Sequence, residues 1–244
     1  MVISYRFALA LAVRLEAMSA LNLEILYEDN HLLAVNKPAG LPTMGVAPGM
    51  ASVYSLAKQY IKRRYQKPGN VYLGIMSRLD ASTTGIVVMA RTSKAAGRLT
   101  ARFRDRDVQK IYWALLSGLP QPSEGELVDW MAKDDARQRM VVAGPATPGA
   151  KEARLRYRQL RPLGRGALAE IELLTGRKHQ IRLQFASRSL PVWGETKYGR
   201  GWPFDNGIAL HARRLVVPHP VREELIELVA PLSPAWRAAG IRDA

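Results

Sequence analysis

The sequence contains no cysteine among its 244 residues. Disulfides, thiolate nucleophiles, cysteine-based zinc sites and cysteine-ligated iron–sulfur clusters are therefore excluded, and we expect a protein of the reducing cytoplasm. Histidine is scarce as well: the four residues, at positions 31, 179, 211 and 219, show no HExxH or similar ligand spacing. We therefore expect no catalytic metal, and the chemistry must come from side chains or from a bound cofactor.

Long apolar runs are also missing from the start of the chain. The apolar stretch at residues 7–13 lies between Arg6 and Arg14. A transmembrane helix needs about 20 apolar residues, and a signal peptide needs a small-residue cleavage site after such a run. We therefore expect no membrane span, and interpret residues 1–20 as an N-terminal extension that could form a short amphipathic helix. Met1 and Met18 remain alternative starts of the natural protein.

Acidic residues are few compared with basic ones. There are 21 Asp and Glu against 36 Lys and Arg, which gives a formal charge of +15 and a pI near 10.4. This balance is typical of a protein that binds a polyanion, so nucleic acid is the leading partner. The alternative is a solvated basic surface without a specific partner.

The hydrophobic content of 48% is sufficient for a substantial core. The sequence contains no internal repeat, low-complexity tract or interdomain linker, so we predict that residues 21–244 form one domain. Apolar runs at residues 25–27 and 32–35 predict a strand pair, and residues 52–65 predict a helix with Ser52 as its N-cap. Further strands are predicted at 85–89, 110–116, 153–160, 167–174 and 208–217, and further helices from Ser93, as N-cap, to about 104 and from about 178 to 186. Strands interspersed with a few helices favour an α+β fold around a mixed, mainly antiparallel sheet.

One candidate for chemistry is the carboxylate of Asp80, which follows Arg78 and Leu79 and precedes a small, hydroxyl-rich turn at residues 81–85. Loops on a rigid sheet often carry catalytic groups. An isolated triplet of this kind more often has an aspartate that caps the turn and an arginine that is a surface charge. The triplet alone therefore leaves both interpretations open.

A second candidate is the basic cluster of Arg177, Lys178, His179 and Arg182, which follows a predicted strand and a Thr-Gly turn. If a helix begins here, Lys178 and Arg182 share one face, and Arg182 could reach a carboxylate from another loop. The alternative is an ordinary basic helix start. For His179 we favour a structural, hydrogen-bonded histidine over a proton-transfer group.

Six blocks in a fixed order carry a resemblance that no single motif would justify. They are LLAVNKPAGLP at 32–42, SRLDASTTGIVVMARTS at 77–93, KIYWALLSG at 110–118, LLTGRKHQIR at 173–182, GETKYG at 194–199 and LHARRLVVPHP at 210–220. In this order the blocks resemble the RNA pseudouridine synthases, specifically the RluA-type branch that acts on ribosomal and transfer RNA. The resemblance spans nearly the whole chain after Met18.

The resemblance implies a role for each matching residue. Asp80 would be the catalytic aspartate, Tyr112 the active-site aromatic residue and Arg182 the arginine paired with the aspartate. Arg78 would enter the RNA stack as the target base leaves, and Ile181 would pack beside that base.

The basic pair Arg177 and Lys178 lies in the same block, and we assign it to substrate binding. The implied reaction breaks the bond from uracil N1 to C1′ and joins C5 to C1′ without redox change, so no cofactor is expected. Either nucleophilic attack by the aspartate or a glycal intermediate would serve. We expect RNA as the partner and a monomeric protein.

Three positions depart from the family pattern. The family usually has His at position 77, Asp at 195 and often His at 184, where this chain has Ser77, Glu195 and Gln184. We expect these differences to affect the substrate subclass and the local RNA contacts. Two other functions compete: a non-catalytic RNA-binding protein on the same fold, and a glycosidase, which would need a second carboxylate such as Glu195.

Overall fold

The computed structural model describes residues 23–243, so the extension predicted for residues 1–20 lies outside the described part of the chain. The strands are β1 (Glu24–Glu28), β2 (Leu32–Lys37), β3 (Gly74–Ile75), β4 (Thr84–Ala90), β5 (Gln109–Leu116), β6 (Glu124–Asp134), β7 (Arg139–Ala143), β8 (Lys151–Leu163), β9 (Gly166–Leu173), β10 (Leu210–Pro218) and β11 (Leu225–Val229). The helices are α1 (Val53–Arg64), α2 (Ser93–Arg104), α3 (Gln180–Ala186) and α4 (Pro234–Ala238).

All the described strands belong to one sheet. Its main order is β1-β2-β4-β10-β5-β9-β8-β6-β7, with β3 paired to β4 and β11 paired to β10. The central pair, β4 and β10, is parallel, and the other pairings within residues 23–243 are antiparallel. The prediction of an α+β fold around a mixed, mainly antiparallel sheet is therefore confirmed.

Helix starts follow local hydrogen-bonding chemistry. Ser52 caps α1 as predicted, and its side chain and that of Ser55 each bind the other's backbone N–H. The prediction for α2 is wrong by one residue, because the Thr92 hydroxyl accepts the N–H of Ala95 and makes Thr92 the N-cap.

The predicted start of α3 is also wrong. The helix begins at Gln180. His179, with φ 56° and ψ 24°, has the left-handed conformation and so cannot be part of a right-handed helix. Lys178 therefore lies outside the helix and does not share a helical face with Arg182.

Two large hydrophobic clusters and a small third one fill the described part of the molecule, and the site lies where the two large ones meet. One cluster surrounds β2, β4, α1 and α2, and the other surrounds β5, β9, β10 and α3. Tyr112 on β5 packs against both clusters. The junction between them is thus a fixed place in the sheet, next to its parallel central pair.

The two faces of the sheet differ in charge. The register aligns Tyr112, Ile171 and Tyr157, which share the face covered by α3, where the Phe185 ring contacts Tyr157. The alternate positions point to the other face. There Arg158 pairs with Glu170 at 3.0 Å, and other arginines of β8 pair in the same way with Glu126 and Glu172. This back face therefore carries arginines whose charge is largely compensated.

No helix within residues 23–243 is long and apolar enough to cross a bilayer.

Candidate active site

Lys37 fastens the loop that carries Asp80 to the end of β2. Its side chain is fully buried, and Nζ donates to the carbonyls of Pro38, Leu41 and Ala81 at 2.7–2.8 Å. Burial lowers the pKa of Lys37 to about 7, although the negative charge of Asp80 opposes this shift. Because Ala81 directly follows Asp80, this lysine fixes the backbone beside the carboxylate.

Two further contacts fix the same loop. The Thr43 hydroxyl donates to the Leu79 carbonyl at 2.8 Å and accepts the Leu79 N–H at 3.1 Å. On the opposite side, the backbone of Ser82 lies close to Gly207, which has φ +109°. A Cβ at Gly207 would stand 2.5 Å from the Ser82 carbonyl oxygen, so glycine is required there. The position of Asp80 is therefore set by the fold on both sides.

Arg182, on α3, joins two carboxylates. Its Nη1 donates to Oδ2 of Asp80 at 2.9 Å, while Nε and Nη2 donate to the two oxygens of Glu195 at 2.6 and 3.0 Å. The guanidinium has 9% of its side chain exposed, and the Asp80 side chain has 25% exposed. One edge of the planar guanidinium thus binds both oxygens of Glu195, and its remaining donor holds Asp80 in the cleft.

Glu195 does not line the cleft but holds Arg182 from behind it. It is fully buried, and Oε1 also accepts the backbone N–H groups of Thr196, Lys197 and Tyr198. Burial alone would raise the pKa of Glu195, but the hydrogen bonds and charge of Arg182, with those of the backbone, outweigh it and lower the pKa. Glu195 is therefore a charged anchor for Arg182 and has no free oxygen for acid–base work in the cleft.

His179 faces the other oxygen of Asp80. Its Nε2 lies 3.4 Å from Oδ1, and its Nδ1 is hydrogen-bonded to the hydroxyl of Tyr198. The Tyr198 oxygen accepts the Met140 N–H from β7 at 3.2 Å, and the Tyr198 ring lies against Arg182, with the guanidinium 5.5 Å from the ring centre. Asp80 is thus contacted on both oxygens, by different residues.

Tyr112 lines the cleft as a partly buried phenol. Burial, and secondarily the negative charge of Asp80, raise the pKa of Tyr112 well above its ordinary value. The phenol is therefore neutral across the physiological range, and its ring is available as an apolar wall.

These groups open into a cleft of about 860 Å³. Asp80 is the one acidic residue among those that line it within residues 23–243. The cationic lining residues are Arg78, Arg104, Arg106, Lys110, Arg177, Lys178 and Arg182. The contrast with the compensated back face is clear, because five of the seven have no carboxylate within 4.0 Å in the described structure: Arg78, Arg106, Lys110, Arg177 and Lys178.

The structure brings together the residues that the sequence singled out. The seven predicted site residues all line this cleft: Asp80, Tyr112, Arg182, Arg78, Ile181, Arg177 and Lys178. Arg78 and Lys178 are exposed at its rim. Lys37 and Tyr198 were not predicted as site residues, because nothing in their local pattern indicates that distant segments meet there.

Gln184 does not face the cleft. It is fully buried, and its amide donates to Asp129 at 2.8 Å and to the Ala153 carbonyl at 3.2 Å. Gln184 thus contacts the interior of the fold, and the expected effect of this position on substrate subclass and local RNA contacts stays a prediction. The part of the chain that the structure describes contains no group of three or more His, Asp or Glu side chains arranged to hold a metal ion.

Asp80, paired with Arg182, thus lies in a cleft whose other charged lining residues are cations. Residues 31–187 match the family model described as RNA pseudouridylate synthase. An uncharacterized RNA pseudouridine synthase of Synechocystis is 33% identical over 86% of this chain and 65% of its own length. Ribosomal large subunit pseudouridine synthase D of Zymomonas mobilis is 32% identical, over 85% of this chain and 68% of its own.

A solved structure from the same family shares the fold. The human protein RNA pseudouridylate synthase domain containing 4 superimposes with a TM-score of 0.74 at 25% identity, over 96% of both chains. The chain therefore belongs to the RNA pseudouridylate synthase family, whose members are isomerases, and to its RluA-type branch. It spans about two thirds of the length of the two curated relatives.

Proposed function

We propose that this protein converts specific uridines of ribosomal or transfer RNA to pseudouridine, with Asp80 as the nucleophile. The observation that carries the proposal is the single carboxylate of a cation-lined cleft, paired with Arg182 at 2.9 Å and partly open to solvent. Oδ2 is held by Arg182 at 2.9 Å, and Oδ1, which has the longer 3.4 Å contact with His179, is the oxygen that we assign to approach a substrate. A polyanion would enter such a cleft readily, because its phosphates replace counterions on the arginines and lysines.

The chemistry needs few groups. The bond from uracil N1 to C1′ breaks, uracil turns, C5 bonds to C1′, and the C5 proton is removed while N1 gains one, so the product is an isomer of the substrate. Asp80 can attack C1′ to form a covalent intermediate, or remove the C2′ proton on the way to a glycal. Both routes use the same carboxylate and require neither a metal nor an oxidant.

Tyr112 and Ile181 would hold the uracil. Both line the cleft with Asp80, and Ile181 on α3 directly precedes Arg182. A flat base whose faces pack between an aromatic ring and an aliphatic side chain recovers much of the stacking that it loses on flipping out. Because the Tyr112 phenol is neutral, its oxygen can accept the C5 proton only if its own hydroxyl proton passes to water in the same step, and N1 takes up a proton from water.

The remaining assigned residues would bind the RNA around the flipped nucleotide. Arg78 is exposed two residues from Asp80, which suits a side chain that fills the space left by the base. Arg177 and Lys178 also line the cleft, and Arg177 is oriented by a hydrogen bond from Nε to the Glu152 carbonyl at 2.7 Å. We expect a monomer, since one chain supplies every group assigned to the reaction, and a cytoplasmic protein, as the cysteine-free sequence favours.

The glycosidase alternative requires Glu195 as a second carboxylate in the cleft, and Glu195 is not available there. Glu195 is fully buried and bound by Arg182 through both oxygens, so it can neither protonate a leaving group nor activate water in the cleft. A non-catalytic RNA-binding protein would have no need for a carboxylate in the cleft that Arg182 and Glu195 hold in place, so this alternative does not account for Asp80.

The test is Asp80→Asn, with Asp107→Asn as the matched control. Asp107 is an exposed carboxylate paired with Arg102 outside the cleft. Pseudouridine mapping of total RNA from cells with and without the gene first identifies the target. Asp80→Asn should then retain the fold and RNA affinity but form no detectable pseudouridine, and Asp107→Asn should behave as the parent. Parental activity in Asp80→Asn would remove this residue from its role, and an RNA-binding parent without activity would favour the non-catalytic function.

A further inference from the structure

His179 contacts the oxygen of Asp80 that Arg182 leaves free. Arg182 binds Oδ2, whereas His179 Nε2 stands 3.4 Å from Oδ1. This distance exceeds that of an ordinary hydrogen bond, but contacts between active-site groups commonly tighten when the substrate is bound. The imidazole is nearly buried, with 10% of its side chain exposed, so water competes little for this contact.

The partners of the two ring nitrogens favour one tautomer of His179. Nε2 faces the carboxylate oxygen Oδ1 of Asp80, which accepts a hydrogen bond, and Nδ1 faces the Tyr198 hydroxyl, which can donate its proton while its oxygen accepts the Met140 N–H. Burial lowers the pKa of His179, and the nearby cations Arg182, Lys178 and Lys197 lower it further, against the opposing effect of Asp80. The neutral ring then has its N–H at Nε2, directed toward Asp80.

The backbone of His179 supplies an independent observation. Its φ of 56° is a left-handed conformation that glycine or asparagine adopts at lower cost. Residues in sparsely populated conformations cluster at functional sites, where the surrounding structure holds them. The turn at His179 therefore directs the imidazole toward Asp80 from a backbone conformation that an asparagine could also adopt.

We propose that His179 is a positioning residue for the reaction, and that it holds the Oδ1 oxygen of Asp80 through its Nε2–H, in the tautomer that Tyr198 favours. The inference rests on the proposed function and deepens it. Arg182 and His179 together fix both oxygens of the carboxylate, so that its plane, as well as its charge, is set before the substrate arrives. The β7 strand takes part through the Met140 N–H that orients Tyr198.

Two substitutions of His179 make opposite predictions for a positioning role and a structural role. His179→Asn tolerates the left-handed backbone and can keep a polar contact with Tyr198, but its amide is too short to reach Asp80. His179→Gln is less suited to that backbone but places an amide N–H near the position of Nε2. A positioning role therefore predicts that Gln is the more active variant, and a structural role predicts that Asn is at least as active and as stable.

The measurements are single-turnover rates of pseudouridine formation and RNA dissociation constants, with thermal unfolding to confirm that each variant is folded. We expect His179→Asn to be slower than the parent by about 100-fold, and His179→Gln to recover about tenfold of that loss, with RNA affinity unchanged in both. Tyr198→Phe, which removes one oxygen and leaves the backbone alone, should slow the reaction by about tenfold without weakening RNA binding.

Asn equal to or faster than Gln, or Tyr198→Phe at the parental rate, would overturn the inference. These outcomes are distinct from failure of the proposed function, in which the parent itself would form no pseudouridine. The Tyr198 variant keeps the test decisive even if a His179 variant does not fold.

Discussion

Arg182 and Glu195 form a buried, bidentate ion pair, and the third donor of Arg182 is the one that reaches Asp80. Glu195 is fully buried and never meets the cleft, yet it determines where the guanidinium lies. Three backbone N–H groups hold Glu195 in turn. The placement of the proposed nucleophile therefore depends on a residue that no substrate touches.

Glu195→Gln should accordingly lower both stability and rate. Removing the charge leaves Arg182 buried with only Asp80 as a counterion, and breaking a buried pair typically costs about 3–5 kcal/mol. Because glutamine keeps one oxygen acceptor, we expect a loss near the lower end of that range, together with a slower single-turnover rate. The control is Glu170→Gln, whose exposed pair with Arg158 should contribute less than about 1 kcal/mol. Equal losses of stability in the two variants would contradict the anchoring role.

Lys37→Met should destabilise the fold around the Asp80 loop. The substitution leaves the carbonyls of Pro38, Leu41 and Ala81 without their common donor, and one unsatisfied buried group alone costs about 1–3 kcal/mol. We expect a loss of about 2–4 kcal/mol in urea unfolding, since the loop can relax in part. Lys62→Met, on the exposed end of α1, is the control and should change stability by less than about 0.5 kcal/mol.

The effect of Lys37 should also depend on pH. Burial lowers its pKa from 10.5 to about 7, so between these values the unfolded chain binds a proton that the folded chain does not. Stability from this group therefore rises with pH across that window. The difference in unfolding free energy between the parent and Lys37→Met should widen from pH 7 to pH 9. A constant difference would contradict a depressed pKa.

His211 predicts a loss of stability in acid. Its Nδ1 is hydrogen-bonded to the Thr84 hydroxyl at 2.7 Å and its Nε2 to the Ala230 carbonyl at 3.1 Å, at the parallel junction of β4 and β10. Burial lowers the pKa of His211 from 6.5 to about 4. The unfolded state therefore takes up a proton first, and the contribution of His211, complete above pH 6.5, is lost as the pH falls toward 4.

The comparison that checks this is the parent against His211→Gln at pH 7.5 and pH 4.5. The parent should lose about 2–3 kcal/mol more than the variant between these two values, since one pKa unit corresponds to about 1.4 kcal/mol. Parallel losses in both proteins would show that His211 is not the titrating group.

Much of the fold was predictable because its signals are local. The apolar runs of β2 and β4, the turn between β1 and β2, and the hydroxyl of Ser52 each specify their own segment. Strand β6 was missed, because charged residues such as Glu126 and Lys133 interrupt its alternation and it is stabilised by pairing with β7 and β8. A strand of this kind depends on its neighbours and not on its own sequence.

The site shows the same division. Asp80 and Arg182 could be found because each lies in a motif, but the sequence could not show that Glu195 lies between Arg182 and the core. Lys37 follows an apolar strand and precedes a proline, a pattern that equally fits a solvent-exposed lysine. In the folded protein its buried amine is bound by three carbonyls, and the Ala81 carbonyl among them is 44 residues away along the chain. Such contacts exist only after folding, and no local pattern encodes them.

The asymmetry of charge predicts where RNA lies. Lys178 is an exposed, uncompensated cation of the cleft, whereas Arg156 is an exposed arginine of the back face, paired with Glu126 at 3.3 Å. Affinity for RNA should fall as salt rises, with a logarithmic slope set by the number of phosphates neutralised. Lys178→Gln should reduce that slope by about 0.7–0.9, and Arg156→Gln should leave it unchanged. Equal changes in the two slopes would place RNA on both faces of the sheet.

The last prediction separates two arginines of the cleft. Arg182 is buried between Asp80 and Glu195, while Arg78 is exposed at the rim. Arg182→Lys keeps the charge that Glu195 requires, but a single ammonium cannot reproduce three donors in one plane. It should therefore slow the chemical step on every substrate, including a short single-stranded RNA whose uridine needs little flipping.

Arg78→Met should behave differently, because its proposed task is to fill the space that the target base leaves and so offset the few kcal/mol lost on unstacking. Its defect should be larger on a folded stem-loop than on an unstructured oligonucleotide that contains the same target. Single-turnover rates of both variants on both RNAs check the distinction. If the two variants lose activity in the same proportion on the two substrates, the arginines do not have separate roles. A substrate-dependent defect in Arg78→Met alone would show that its side chain acts on the RNA stack and not on Asp80.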